Sequence, residues 1–212
     1  PDASRAVQAV IEWMLAQHPG LDIAPVGSLR RGADTCGDVD LLAVGADPSV
    51  LTLFTTYPLV ERVLGRGETK ASVLLRGGLQ ADLRAVAANE RGAALQYFTG
   101  SKAHNIVLRD RALERGWRLN EYGLFNARDE ARIAGDTEES IYQALGLAWV
   151  PPELRENRGE IDASAAGSLP PLLTAGDLRG DVHMHTTESD GRNTLEEMAD
   201  AAATVVTAVA AR

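Results

Sequence analysis

The sequence has a single cysteine and no long hydrophobic run. Cys36 cannot form a disulfide within the chain, so we expect a protein of a reducing compartment, the cytoplasm. No apolar stretch approaches the roughly 20 residues of a membrane-spanning helix, so we expect no membrane partner. Neither a secretory leader nor an internal repeat is visible. A globular protein is the remaining class, and 45% hydrophobic residues suffice for a core.

The net charge of −9 argues at face value against nucleic acid as a partner. However, the excess negative charge lies entirely in residues 133–212, whereas residues 1–132 carry equal numbers of basic and acidic side chains. Within this first part, residues 84–132 have a small basic excess. The acidic average therefore leaves a nucleic-acid-binding first half open.

Hydrophobic periodicity predicts a mixed α/β unit in the first 86 residues. Apolar residues at helical spacing predict a first helix over 3–17, which ends before the breaker His18-Pro19-Gly20. Alternating patterns predict strands near 22–26, 38–44, 59–66, 71–76 and 79–86, with a helix near 48–56.

The next segment changes to a mainly helical pattern. We predict helices from 89 to 116 with breaks at Gly92 and Gly100-Ser101, short strands near 117–125 and a helix near 136–146. Residues 151–176 are rich in proline and small residues and resemble a linker. A new strand, loop and helix are predicted after it.

The stretch GSLRRGADTCGDVDLL, residues 27–42, combines a Gly-Ser turn with two acids one residue apart. Asp38 and Asp40 project to the same face of a strand because side chains alternate. Backbone N–H groups of the turn and Arg31 are suited to phosphate oxygens. Taken alone, an Asp-X-Asp pair is more often a solvated strand end.

A third acid, Asp82, stands in an apolar strand where a lone carboxyl has no inexpensive structural explanation. Three carboxylates that converge beside a phosphate-binding turn suit two hard divalent cations, which bridge a triphosphate and a hydroxyl. The sequence therefore predicts a metal-dependent phosphoryl-transfer site.

An ordered series of motifs resembles the family X DNA polymerases, and most closely its bacterial branch. The series covers residues 1 to about 160 and comprises 27–40, 66–70, 82–84, 97–101 and 116–124. One departure is Gln80, which stands where vertebrate relatives carry an arginine and leaves open what holds Asp40.

This resemblance implies roles for the palm residues. Two metal ions, Mg²⁺ or Mn²⁺, would be bound by Asp38 and Asp40. Asp82 would bind only the catalytic metal ion of the two. The incoming nucleotide's phosphates would meet Gly27, Ser28, Arg31 and Gly37. In-line attack by a primer 3′-hydroxyl would release pyrophosphate.

The resemblance also implies roles in the second segment. Tyr97 and Phe98 would lie against the nucleotide sugar, and Asn105 would contact the minor-groove edge of the base. A cis peptide would join Gly100 to Ser101, and both of these residues are also expected at the nucleotide-binding site. We assign DNA contacts to Arg84, Lys102 and Arg109. Outside this family context, Asn105 and Arg109 would be an ordinary exposed pair four residues apart on a helix.

A second constellation is His183-X-His185 with Asp190 five residues later. Two imidazoles on one strand face plus a carboxylate suit zinc or manganese. The surrounding sequence resembles the first motif of PHP phosphoesterases, whose remaining ligands lie far downstream. We therefore expect a Zn²⁺ or Mn²⁺ site of which only the start is present.

The fold class we predict is α/β (α+β): a nucleotidyltransferase-type palm with a mixed sheet and flanking helices, then a small helical and β subdomain, then the first βα unit of a PHP barrel. The domain ranges are palm 1–86, thumb-type subdomain 87–160, linker 161–177 and PHP start 178–212. We expect a longer parent protein, with a helix-hairpin-helix region before Pro1. Expected partners are gapped or primer-template DNA, deoxynucleotides and repair proteins, at the nucleoid.

The predicted function is template-directed DNA synthesis in short-gap repair. Three alternatives stay open. A PHP-based phosphoesterase or 3′-exonuclease would use the palm to place DNA. The second alternative is a non-catalytic DNA-end binder, which would have no need of three clustered acids. The third is a small nucleotidyltransferase that modifies RNA or an antibiotic; such an enzyme shares the Gly-Ser turn and the acids but would lack the motif at 97–101.

Overall fold

A computed structural model describes residues 3–177 and 183–210. Residues up to Leu169 form one compact unit and residues from Pro170 onward form a second, and each is described by itself. The helices of the described residues are α1 (Ala3–Gln17), α2 (Gly27–Arg30), α3 (Ser49–Thr55), α4 (Arg91–Thr99), α5 (Lys102–Leu113), α6 (Glu138–Ala144), α7 (Glu160–Ala165) and α8 (Leu195–Ala210).

The strands of the same residues are β1 (Asp22–Val26), β2 (Asp38–Val44), β3 (Val60–Arg66), β4 (Lys70–Leu75), β5 (Gln80–Val86), β6 (Trp117–Asn120), β7 (Gly123–Asn126) and β8 (Arg132–Ala134). Short 3₁₀ turns lie at Ala88–Glu90, Pro152–Leu154 and Ala175–Asp177. No helix of the described part of the chain is long and apolar enough to cross a membrane.

The first sheet is mixed and has the order β1-β2-β5-β4-β3. Strands β2 and β5 pair in parallel, and the other neighbouring pairs are antiparallel. All five predicted strands and the flanking helices α1 and α3 are thus confirmed. The parallel pair is the feature that brings two distant segments of sequence into register.

Side-chain alternation gives the first sheet two different faces. Val39, Leu41 and Ala43 of β2 are buried with α1 and α3 in the larger core. Leu42 points the other way and packs with Val26, Ala94 and Leu95, so α4 covers the opposite face. Because Asp38 and Asp40 share the parity of Leu42, they lie on the face toward α4.

The second sheet, β6-β7-β8, packs with α5, α6 and α7 around another core. Its third strand, β8, is an element that the sequence did not predict. Residues 161–165, placed in the predicted linker, belong to α7, and Ile161 is buried in this core. The helix prediction near 136–146 is confirmed by α6, for which Thr137 is the N-cap residue.

Gly92 lies inside α4 and does not break it, contrary to the prediction. A Cβ built on Gly92 would stand 2.2 Å from the backbone carbon of Thr137. Glycine is therefore required there by the close approach of another segment, and the helix continues through it.

The second unit consists of a 3₁₀ turn, an irregular stretch and α8. The strand expected before the paired histidines falls partly on residues 178–182, which lie outside the described residues. Residues 183–186 have no regular secondary structure.

Candidate active site

The turn after β1 brings the backbone against a carboxylate. Gly27 has φ +65°, and a Cβ there would stand 2.6 Å from Oδ2 of Asp40. Only glycine allows both this conformation and this approach. The short helix α2 ends at Arg30, so Arg31 is its C-cap residue. Ser28 is half-buried in the turn, beside the two arginines.

The three predicted carboxylates lie on two neighbouring strands. Asp40 on β2 is the register partner of Asp82 on β5, and Asp38 faces Gln80. These strands are interior to the sheet, so the acids gather at one end of the sheet's interior and not on an outer strand. Asp38 is exposed, Asp40 half-buried and Asp82 6% exposed.

Asp40 and Asp82 are in different electrostatic states. Burial, and then repulsion by Asp38 and Asp82, raises the pKa of Asp40. Burial also acts to raise the pKa of Asp82, but hydrogen bonds from Lys70, Ser72 and Gln80 outweigh it and lower that pKa.

Lys70 is the cation next to this cluster. Its Nζ forms an ion pair with Oδ2 of Asp82, while Gln80 Nε2 donates to Asp82 Oδ1 at 3.2 Å. Lys70 reaches Asp82 from β4, which pairs with β5 on its other side. Gln80, which stands where vertebrate relatives carry an arginine, therefore contacts Asp82. Asp40 instead lies against the turn at Gly27.

A metal requires oxygen ligands that are not already neutralised. The described residues contain no group of three His, Cys, Asp or Glu side chains arranged to hold a metal ion. Nevertheless, Asp38 and Asp40 form a hard oxygen donor pair, and at Asp40 burial and repulsion by the neighbouring acids outweigh the attraction of Lys70 and Arg84, which fits a site for Mg²⁺ or Mn²⁺. Oδ2 of Asp82 is occupied by Lys70, so a cation that uses this oxygen has to displace the ion pair.

A cavity of about 460 Å³ lies beside the carboxylates. The following residues line it: Gly27, Ser28, Arg31, Asp38, Asp40, Tyr97, Phe98, Thr99, Gly100, Lys102, Asn105, Ile106 and Arg109. Predicted site residues from both halves of the first unit are therefore brought together. Gly37, Asp82, Arg84 and Ser101 do not line this cavity.

The wall from the second half is built at the junction of α4 and α5. Tyr97 and Phe98 lie in the last turn of α4 with their ring centroids 5.1 Å apart, edge to face. The peptide bond between Gly100 and Ser101 is cis, as the family resemblance implied. Ser101 is buried and caps α5 by accepting a hydrogen bond from the His104 N–H.

Asn105 is fixed by two hydrogen bonds. Its Oδ1 accepts from Gln96 Nε2 and its Nδ2 donates to the Tyr97 carbonyl oxygen, each at 2.7 Å. Behind it, the buried His104 bonds Glu160 and Tyr142, and burial lowers the pKa of the His104 imidazole. Because Tyr142 belongs to the core around the second sheet, the helix that carries Asn105 is anchored to that core.

Two arginines of the α2 turn reach into the second half. Arg31 donates to the Thr99 carbonyl oxygen at 2.6 Å and pairs with Glu156 at 2.7 Å. Arg30 makes a two-pronged contact with Glu138, which also pairs with the fully buried Arg155. Glu138 thus links the two halves.

The remaining predicted DNA contacts divide between two places. Lys102 and Arg109 lie at the first cavity. Arg84 stacks over the Phe98 ring at 4.5 Å and lines a different cavity of about 590 Å³ that also contains Tyr122. Phe98 lines both cavities.

In the second unit, His185 contacts both of the other predicted ligands. Its Nε2 is 2.8 Å from Nε2 of His183, and its Nδ1 pairs with Oδ1 of Asp190. The three side chains are adjacent, but across residues 183–210 they do not form a recognisable three-ligand metal centre.

Sequence reasoning missed four side chains that hold the site: Lys70, Gln96, Glu138 and Glu156. Lys70 lies within a recognised motif, and Gln96 stands directly before Tyr97 as a polar residue in an otherwise buried helix face. Both signals were present. Glu138 and Glu156 act across the fold, and no local pattern marks them.

Comparisons with known proteins agree with this layout. The family model of the DNA polymerase beta palm matches residues 2–84, and that of the DNA polymerase beta thumb matches residues 94–156. A solved structure, the ternary P/T complex of Leishmania infantum polymerase beta, is similar with a TM-score of 0.63, 22% identity and coverage of 73% of this chain and 75% of that one. This likeness supports the fold.

Curated relatives extend the comparison. The DNA polymerase/3′-5′ exonuclease PolX of Bacillus subtilis is 36% identical over 82% of this chain and 31% of its own length. The rat DNA polymerase lambda is 32% identical over 73% of this chain and 32% of its own length. The chain thus spans about a third of each of these two relatives.

A shorter relative is matched over most of its length. The repair DNA polymerase X of African swine fever virus is 30% identical over 63% of this chain and 81% of its own length. With both polymerase beta family models matched in order on one compact unit, the chain belongs to family X of the DNA polymerases.

Proposed function

We propose that this chain is the nucleotidyl-transfer core of a template-directed DNA polymerase that fills short gaps in DNA. One observation carries the proposal: Asp40 and Asp82 are register partners on two neighbouring interior strands of the sheet. Asp40 also lines a cavity together with Gly27, Ser28 and Arg31. Acids and phosphate-binding groups meet there, as transfer of a nucleotide requires.

The triphosphate of an incoming deoxynucleotide would bind at the α2 turn. Ser28 and the backbone N–H groups of the turn donate to phosphate oxygens, and Arg31 supplies a positive charge. Arg31 is paired with Glu156 here, so a phosphate oxygen would replace that carboxylate. Lys102, at the start of α5, adds a second cation.

The sugar and base would lie against the α4–α5 junction. Tyr97 and Phe98 offer aromatic faces to the sugar, and Asn105 offers an amide donor to the base. Arg109 on α5 would reach the template strand, and Arg84 would act from the neighbouring cavity. Primer-template DNA is thus the proposed partner, with repair proteins and the nucleoid as the expected setting.

Asp38 and Asp40 would hold Mg²⁺ or Mn²⁺, joined by Asp82 after release from Lys70. A bound divalent cation neutralises phosphate charge and makes the primer 3′-hydroxyl easier to deprotonate. The residues' own contribution is positional: the strand pairing fixes the spacing of two carboxylates. The 3′-oxygen then forms a bond to the α-phosphorus while the bond to pyrophosphate breaks.

The test is extension of a labelled primer across a short gap by the natural protein that carries this chain, with Mg²⁺ or Mn²⁺. Asp82→Ala is expected to abolish template-directed addition. The matched control is Glu12→Ala, an exposed acid on α1 beyond the opposite sheet face, which should extend normally. Shortening of the primer without extension would refute the proposal and favour the phosphoesterase alternative at His183 and His185.

A further inference from the structure

Gln96 is a polar side chain in an unusual place. It is only 1% exposed and lies on α4 among the buried residues Ala93, Ala94 and Leu95. A buried amide is costly unless it is hydrogen-bonded. Its Nε2 donates to Asn105 Oδ1 at 2.7 Å, so its position serves one neighbour on another helix.

The orientation of the Asn105 amide is decided by its two partners. The Tyr97 carbonyl oxygen can only accept, so it takes a hydrogen from Nδ2 at 2.7 Å. Oδ1 then faces Gln96, whose Nε2 can only donate. With the Gln96 amide as it stands, reversal of the Asn105 amide would lose both hydrogen bonds, and even if Gln96 turned as well, the hydrogen bond to the Tyr97 carbonyl oxygen would be lost.

A fixed orientation leaves one hydrogen of Nδ2 unused by Tyr97. Asn105 lines the 460 Å³ cavity with Tyr97 and Phe98, so this hydrogen belongs to a donor at the wall of the proposed nucleotide site. The minor-groove edge of every base carries an acceptor, N3 of purines or O2 of pyrimidines. A donor suits all four bases, whereas a reversed amide would present an acceptor to an acceptor.

We propose that Gln96 is a positioning residue that keeps Asn105 as a hydrogen-bond donor toward the minor-groove edge of the incoming base. The inference rests on the proposed polymerase function, and extends it to a residue that touches neither nucleotide nor DNA. Gln96 acts through Asn105 and sets the preference for nucleotides that carry the acceptor.

The experiment compares insertion of deoxyadenosine triphosphate with that of its 3-deaza analogue, in which C–H replaces N3. The natural protein that carries this chain should favour the normal nucleotide by about tenfold in kcat/KM, the size of one hydrogen bond. Because both nucleotides are tested on one preparation, partial unfolding lowers both rates together and leaves the ratio unchanged.

Three variants separate the roles. Gln96→Met keeps the volume but removes the amide, and should reduce the preference to about two- to threefold because Tyr97 still holds Nδ2. Gln96→Glu draws the Asn105 amino group toward its carboxylate, and should remove the preference. Gln143→Met makes the same change at an exposed position of α6 and should keep the full preference.

Each outcome has a separate meaning. Failure of the unsubstituted protein to insert either nucleotide would overturn the proposed function and this inference with it. Equal insertion of both nucleotides would leave a polymerase but overturn the donor role of Asn105, and so the inference. A full preference retained by Gln96→Met and Gln96→Glu would overturn the inference alone.

Discussion

Asp40 and Asp82 face each other on neighbouring parallel strands, yet the pKa of Asp40 is raised and that of Asp82 is lowered. Both carboxyls are subject to burial. The difference is that Asp82 accepts hydrogen bonds and holds the ion pair with Lys70, whereas repulsion from Asp38 and Asp82 acts on Asp40 together with burial and outweighs the attraction of nearby cations. Before any cation binds, the charge of Asp82 is therefore balanced by Lys70, whereas ionisation of Asp40 is unfavourable.

Substitution Lys70→Met is expected to raise the pKa of Asp82, because burial then acts with its main opposing interaction removed. The measurement is the pH dependence of the Asp82 carboxyl ¹³C chemical shift by NMR, with divalent cations chelated. Lys102→Met removes the chain's other lysine and should leave the Asp82 titration in place. An unaltered Asp82 titration in Lys70→Met would show that the ion pair does not set this pKa.

Substitution Asp40→Asn is expected to abolish nucleotide addition and to stabilise the fold. A raised folded-state pKa means that ionised Asp40 opposes folding, so the gain is full above the folded pKa and disappears as pH falls below the unfolded value of 3.8. After allowance for solvent screening, we expect an increase of about 2 °C in Tm at neutral pH.

Thermal unfolding at neutral pH and near pH 3.5 checks this. Asp34→Asn makes the same change at an exposed position and should alter Tm at neither pH. If Asp40→Asn lowers Tm at neutral pH, the carboxylate is stabilised by its surroundings and the predicted repulsion is wrong.

Substitution Gly27→Ala is expected to destabilise the protein by about 2–3 kcal/mol, from a positive φ and from the clash with Asp40. Gly20→Ala isolates the first contribution. Gly20 has φ +87° but nothing within 4 Å of its added Cβ, so about 1 kcal/mol is expected there. Urea unfolding of both variants gives the difference, and equal losses would show that Asp40 moves aside without cost.

Substitution Glu138→Gln is expected to cost about 3 kcal/mol, because two arginines lose their shared carboxylate in a buried setting. Although burial acts to raise the pKa of Glu138, Arg30 and Arg155 lower it overall. Its stabilisation is therefore present above the unfolded pKa and is lost as pH falls through the lower folded pKa.

The control for Glu138→Gln is its neighbour Glu139→Gln, which is exposed and should change the free energy of unfolding by less than about 0.5 kcal/mol. Urea titrations at neutral and acidic pH should show that the deficit of Glu138→Gln shrinks in acid. A deficit that stays constant with pH would mean that packing, and not charge, explains it.

Much of the palm was predictable because its signals are local. Val39, Leu41 and Ala43 alternate with Asp38 and Asp40, so one strand displays both its buried face and its acids. The five strands and their flanking helices have boundaries within a residue of the prediction. The Gly-Ser turn and the acids also form a motif that sequence alone reveals.

Other features depend on contacts between distant segments. In the sequence, Gly92 is typical of a residue that interrupts a helix. In the structure it lies within a helix, and its lack of a side chain makes room for the backbone of Thr137. The ion pair of Lys70 with Asp82 follows from the antiparallel pairing of β4 with β5. The roles of the site residues, including His183, His185 and Asp190, stay predictions until they are measured, as do the subdomain ranges.

The strand order has a consequence for how the sheet forms while the chain is synthesised on the ribosome. Strand β5 lies between β2 and β4, although it is made after both. For a nascent chain that ends before Gln80, the native pairings available are only two separate antiparallel ribbons, β1 with β2 and β3 with β4, each with an edge that β5 pairs in the folded protein. The seven residues of β5 join the two ribbons and pair Asp40 with Asp82. The pair of facing carboxylates is therefore complete only when β5 is made, after both of its neighbouring strands, and the α4–α5 wall of the cavity is made later still.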